Sequence, residues 1–158
     1  MSLDAFVFCD CFEKGCLRGQ PRSEWAVYVD KDGRRESGAA NLNEQMAFDS
    51  WHYDACEHER GILLHHRLGN ISLIGFFREA FNPYSDQLPI LAGKVIYSGS
   101  HCCDYLNVTE VERLRGEIEV IATVCGKNAQ DEQFIRRFEQ QLRELADCSL
   151  RVRKPIAF

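Results

Sequence analysis

Apolar residues recur every three to four positions in four stretches of the chain, which is the spacing of an amphipathic helix. The pattern predicts helices over residues 41–56, 71–81 and 108–124, and a last helix that Asn128 opens. The helix over 71–81 is apolar on nearly all sides, so we expect it in the middle of the core. Because the connection between the last two helices is short, they should pair as an antiparallel hairpin.

Strand spacing, in which apolar and polar residues alternate, is found in other stretches. It predicts strands over residues 4–11, 25–29 and 93–97, and a short charged edge strand over 34–36. Residues 62–68 fit either a strand or a buried turn of helix. A strand needs partners, so these segments should share one sheet.

These elements together predict an α+β fold. We expect a small, mostly antiparallel sheet of three to five short strands, about four helices, and a C-terminal helical hairpin. The 158 residues fit a single domain spanning 1–158. The tail, residues 151–158, should dock on the body in extended form.

The net charge of the chain limits the kinds of molecule that it is expected to bind. The formal net charge is −5, which disfavours nucleic-acid binding because that needs clustered Lys and Arg. No run of apolar residues approaches the length of a membrane span, and no secretory signal is recognised, so we expect a cytoplasmic protein.

The eight cysteines are interpreted as reduced thiols, because the expected compartment is the cytoplasm and the core needs no disulfides. Cys125 and Cys148 fall on the apolar stripes of the last two helices, where a free cysteine acts as a small hydrophobe.

A metal site is the first chemical hypothesis. Zinc prefers thiolate and imidazole ligands in a tetrahedron. A helix places His52 and Cys56 on one side, four residues apart, and the Cys-x-Cys pair Cys9 and Cys11 could complete the set. His58 follows close behind. The alternative is a hydrogen-bonded histidine beside a buried cysteine, since the chain has no Cys-x-x-Cys.

A thiol-based catalytic site is the second hypothesis. His101, Cys103 and Asp104 fall in a loop between a predicted strand and a predicted helix, and a cysteine beside a base is a nucleophile. His66 could serve as the more distant base. The alternative is a polar turn whose side chains cap the following helix.

A ligand pocket is the third hypothesis. His65 and Arg67, followed by Asn70, could bind an anion or a carboxylate. In an extended segment adjacent histidines point to opposite sides, so only one of His65 and His66 would face inward. Asn70 is also a plausible helix cap.

Three strings carry a resemblance: CDCFEKG from Cys9, ACEHERGILLHHRLGN from Ala55 and KVIYSGSHCCDYL from Lys94. They resemble segments of small bacterial cytosolic proteins. The resemblance implies a bacterial, cytosolic origin and transfers no catalytic residue.

Two functions follow. The first is a non-catalytic protein that binds another protein, as immunity proteins bind toxins, since no complete catalytic motif is present. The alternative is a metal-dependent or cysteine-based enzyme, with the Cys and His residues and Asp104 converging on one cleft. The exposed side of the first helix could also pair with a second copy in a homodimer.

Overall fold

A computed structural model describes residues 2–98 and 104–158 of the chain. It shows the predicted mixture of helices with a small antiparallel sheet. The strands are β1 (Ser2–Phe8), β2 (Tyr28–Val29), β3 (Arg35–Glu36), β4 (Ile62–Asn70), β5 (Tyr105–Leu106) and β6 (Ile156–Ala157). The α-helices are α1 (Leu42–Asp54), α2 (Ile71–Phe81), α3 (Val108–Ile121) and α4 (Ala129–Val152).

The main sheet has the strand order β4-β1-β6-β5, and every neighbouring pair is antiparallel. The tail therefore docks as a strand between β1 and β5. Along β1 the alternate residues Leu3, Ala5 and Val7 are buried, because successive side chains of a strand point to opposite faces. Strands β2 and β3 form a separate hairpin.

The long strand β4 lies at one edge of the sheet and is irregular at two points. Leu3 pairs with Gly69 and Asp4 with Arg67, so Leu68 is an extra residue in β4. A second shift lies between Val7 and Phe8, which pair with Leu64 and Ile62, so Leu63 is also an extra residue in β4. These are β-bulges, which bend a strand and increase its twist.

Helices α3 and α4 form the predicted C-terminal hairpin. Salt bridges join Arg143 to Glu119 and Arg115 to Asp147. Residue numbers therefore increase along one helix where they decrease along the other, so the two helices are antiparallel. The core lies between this hairpin, α2 and the buried side of the sheet, where Phe138 stacks on Phe77 with ring centres 4.1 Å apart.

The strand predicted over residues 93–97 is wrong. Residues Leu91–Val95 form a single π-helical turn instead. The backbone amides at the start of this turn bind a side chain of another helix. The buried carboxylate of Glu117 in α3 accepts hydrogen bonds from Ile90 N at 2.9 Å and Leu91 N at 2.8 Å. A contact from a distant helix thus decides the local conformation, which alternation alone could not show.

Other boundaries also differ from the prediction. Residues Ser23–Trp25 form a 3-10 turn, so only Tyr28–Val29 remains of the predicted second strand. Cys148 is buried as expected, but Cys125 is exposed because α3 ends at Ile121, before it. Within the described residues, no helix combines the length and apolar character needed to cross a membrane.

Candidate metal centre

Two chain segments that follow regular elements meet beside the sheet. Cys9 and Cys11 come directly after β1, and Cys56 and His58 come directly after α1. The two segments are held together by a hydrogen bond from Cys9 N to Gly61 O at 2.8 Å. The ends of a strand and of a helix, both anchored in the fold, therefore position the four side chains.

The four side chains form a tight group. Cys9 Sγ lies 3.7 Å from Cys56 Sγ, and Cys11 Sγ lies 3.5 Å from His58 Nδ1. One donor atom from each residue lies within 4.8 Å of all the others. The three cysteines are buried, and the His58 side chain is 22% exposed. This group, which we call the Cys/His centre, could hold a metal ion.

Local backbone hydrogen bonds fix both segments. Cys16 N donates to Cys11 O at 2.8 Å, which closes a turn after the first pair. Gly15 in that turn has φ of +68°, in the left-handed region that glycine tolerates best. Arg18 N donates to Ala55 O at 2.8 Å and ties the same loop to the end of α1. The centre is therefore held by main-chain contacts on both sides.

Ionisation differs among the three thiols. Burial, together with the neighbouring thiols of Cys9 and Cys56, raises the pKa of Cys11 to about 12. Burial also raises the pKa of Cys9. Burial acts in the same sense on Cys56, but a backbone hydrogen bond at His58, the Cys9 thiol and the positive charge of Arg35 outweigh it and lower its pKa.

The structure brings together three of the four predicted metal ligands and leaves out the fourth. His52 lies apart from the centre, and its Nε2 is 3.1 Å from Arg60 O. Burial and the positive charge of Arg35 lower the pKa of His52 to about 4. The prediction that His52 and Cys56 share a helix face is wrong because α1 ends at Asp54, two residues before Cys56.

His58 takes the place of His52, and a sequence signal for it existed. The centre combines a Cys-x-Cys pair with the Cys-x-His pair Cys56 and His58. Residues two apart point the same way in extended chain, so each pair can present two donors to one point. Cys16, the next cysteine along the chain after Cys11, is exposed and its Sγ contacts Lys14 O.

The two histidines of β4 are separated, as alternation predicts. His66 Nε2 lies 2.7 Å from a carboxylate oxygen of Glu144 in α4. His65 stacks on Phe6, with ring centres 4.6 Å apart, and its Nε2 lies 3.1 Å from an oxygen of Asp4. Each is paired with its own carboxylate, and neither belongs to the Cys/His centre.

The three residues predicted to bind a ligand do not all lie in one cleft. Arg67 and Asn70 both line a cleft of about 200 Å³ beside α4, whereas His65 does not. The Asn70 side chain accepts a hydrogen bond from Leu73 N, so it caps α2. That contact is the capping role given as the alternative for this residue.

The predicted catalytic loop is described only in part. His101 and Cys103 lie outside the described residues. Asp104 lies just before β5, where its carboxylate accepts a hydrogen bond from the Tyr97 hydroxyl and its carbonyl accepts one from Phe158 N. The thiol hypothesis for this loop stays a prediction.

No family model, no curated protein and no solved structure matches this chain. The chemistry of its own side chains therefore carries the functional inference. Thiolate and imidazole donors in a buried group bind soft or borderline metal ions, and carboxylates are absent from this set. The Cys/His centre is the arrangement in the described residues with the clearest chemical use.

Proposed function

We propose that this protein is a non-catalytic zinc-binding protein, with one structural zinc ion bound by Cys9, Cys11, Cys56 and His58. The observation that carries the proposal is the convergence of these four donor atoms within 4.8 Å of one another. Three thiolates and one imidazole are a common ligand set of structural zinc sites.

Two distances within the centre fit a tetrahedral zinc ion. An ion about 2.3 Å from sulfur and about 2.0 Å from nitrogen places two sulfurs about 3.8 Å apart, and a sulfur and a nitrogen about 3.5 Å apart. The corresponding distances are 3.7 Å for Cys9 and Cys56, and 3.5 Å for Cys11 and His58. The remaining pairs, within 4.8 Å, would close by about 1 Å or less.

The outer contacts also suit a bound ion. If Nδ1 of His58 binds zinc, Nε2 carries the proton and lies 3.7 Å from the Glu57 carboxylate. A small movement of Glu57 would give the hydrogen bond that orients metal-bound imidazoles. Leu17 and Leu63 pack against the three cysteines and keep water away from the sulfurs.

A closed ligand set favours a structural role over an enzymatic one. Catalytic zinc usually keeps a position for water or substrate, whereas structural zinc has four protein ligands. The lowered pKa of Cys56 favours the alternative, a cysteine-based enzyme. However, the Cys56 side chain is only 2% exposed, which leaves a substrate little access to the sulfur.

Metal analysis of the full chain, purified without chelator, tests the proposal. We expect one equivalent of zinc per chain, lost in the Cys56→Ser variant because an alcohol is a poor ligand for this ion. Cys125→Ser is the matched control, since Cys125 is exposed and lies outside the centre. A wild-type protein that takes up no more zinc than the Cys56→Ser variant would contradict the proposal.

The second part of the proposal concerns the partner, which we propose is a second copy of this chain. Leu42, Met46 and Tyr53 are large apolar side chains of α1 that are 74%, 63% and 46% exposed. Their spacing puts them along one side of the helix. Exposed apolar surface of this kind often marks a protein contact, and a helix face can meet its own copy about a twofold axis.

Sedimentation equilibrium tests this contact. We expect a wild-type dimer and a Met46→Glu monomer at the same concentration, because a charge on this helix face would be buried without a partner. Ile71→Glu is the control, since Ile71 is an equally large exposed apolar residue on a different helix. A monomeric wild-type protein, or an unchanged mass for Met46→Glu, would overturn this part and leave the zinc site unaffected.

A further inference from the structure

A buried arginine lies against the Cys/His centre. Arg35, in β3, is only 4% exposed. Its Nη2 donates to Cys56 Sγ at 3.6 Å, and its guanidinium lies 5.8 Å from the centre of the Trp51 ring. Its other terminal nitrogen, Nη1, is buried and has no hydrogen-bond partner among the described residues.

This placement is costly unless a negative charge lies nearby. A buried guanidinium without a counter-charge is strongly unfavourable, and the pairs found among the described residues give Arg35 no carboxylate. Its neighbour His52, whose pKa is lowered to about 4 by burial and by the charge of Arg35, supplies no negative charge either. The group in contact with Arg35 that can become anionic is the thiol of Cys56.

The backbone around the centre leaves room for this side chain. Gly61 has φ of +69°, and a Cβ at this position would lie 2.7 Å from Arg35 Nη2. Gly61 is also the residue whose carbonyl binds Cys9 N. The guanidinium therefore occupies space that only a residue without a side chain leaves open, next to the ligand segment.

We infer that Arg35 is the built-in counter-charge of the metal centre when a divalent ion is bound; this inference rests on the proposed zinc function. A divalent ion with three thiolates and a neutral imidazole carries one net negative charge. The fixed positive charge of Arg35 cancels it, so the buried assembly is neutral.

Arg35 should therefore stabilise the zinc-bound protein and destabilise the metal-free protein. With zinc bound, Arg35 donates to a thiolate and stabilises the centre. In metal-free protein the thiols can be protonated, and the same guanidinium is then a buried charge with an unsatisfied nitrogen. A residue that served only to fill space would stabilise both forms alike.

The experiment compares Arg35→Met with wild type, in zinc-loaded and in chelator-stripped full-length protein. Methionine keeps much of the length of the side chain and removes the charge. We expect zinc affinity to fall by about 10- to 100-fold, as for other groups that contact metal ligands. We expect the unfolding midpoint to fall in the loaded protein and to stay equal or rise in the stripped protein.

Two controls separate the outcomes. Arg34→Met removes a neighbouring charge of the same hairpin, on an exposed side chain, and should change zinc affinity little. Cobalt-substituted Arg35→Met should keep the visible absorption of a tetrahedral sulfur-rich site, which shows that the ligands remain assembled. Equal zinc affinity in Arg35→Met and wild type, or an equal fall in both midpoints, would overturn the role of Arg35. Failure of wild type to bind zinc would instead overturn the proposed function.

Discussion

Replacing Cys56 with Ser should abolish the stabilisation by zinc that the proposed site predicts. In the wild type, free zinc at a thousand times the dissociation constant should add about 4 kcal/mol to the free energy of unfolding, because zinc binds the native state. For a chain of this length that corresponds to a rise of about 10 °C in the unfolding midpoint. Cys56→Ser removes one of four ligands from a buried set, so its midpoint should not respond to zinc.

Differential scanning calorimetry with and without zinc measures this effect. The Cys125→Ser variant should keep the full response, since that thiol is exposed and distant from the ligand set. The His52→Gln variant should also keep it, because His52 contacts Arg60 O rather than the centre. A zinc response of the same size in Cys56→Ser and wild type would show that zinc binds elsewhere.

Glu117→Ala should lower the free energy of unfolding by about 3 to 6 kcal/mol, because hydrogen bonds to a charged group contribute about 1.5 to 3 kcal/mol each. The carboxylate of Glu117 accepts from two buried amides, Ile90 N and Leu91 N, at 2.9 and 2.8 Å. Alanine leaves both amides without an acceptor inside the core.

Urea unfolding measures this loss, and two variants calibrate it. Glu112→Ala removes an exposed carboxylate from the same helix and should change stability by less than about 0.5 kcal/mol. Glu117→Gln keeps one carbonyl oxygen as acceptor, so its loss should fall between the two alanine variants. Equal losses for Glu117→Ala and Glu112→Ala would show that the π-helical turn does not depend on this carboxylate.

The sequence predicts best where local signals and burial agree. Helix α2 spans Ile71–Phe81 as predicted, with Asn70 as its cap. The π-helical turn at Leu91–Val95 escaped prediction because its conformation depends on Glu117, which is distant in sequence. Tertiary contacts override local pattern in such short segments.

The metal centre could also be predicted from the sequence only in part. Cys9, Cys11 and Cys56 could be named because thiols in a Cys-x-Cys pair suggest a metal and a third thiol was available. The sequence favours His52 over His58 as the fourth ligand because the predicted helix runs to Cys56, and nothing in the local sequence of Arg35 marks it as buried. A charged residue in a two-residue strand normally faces water, and only the assembled fold shows otherwise.

The two bulges in β4 have a consequence for behaviour at high concentration. An edge strand nine residues long offers unpaired backbone groups on which a strand of another molecule could add. The extra residues bend the strand twice, and the exposed charge of Arg67 lies between them. A straight incoming strand would lose register at each bend, so ordered fibrils that grow by strand addition along this edge are disfavoured.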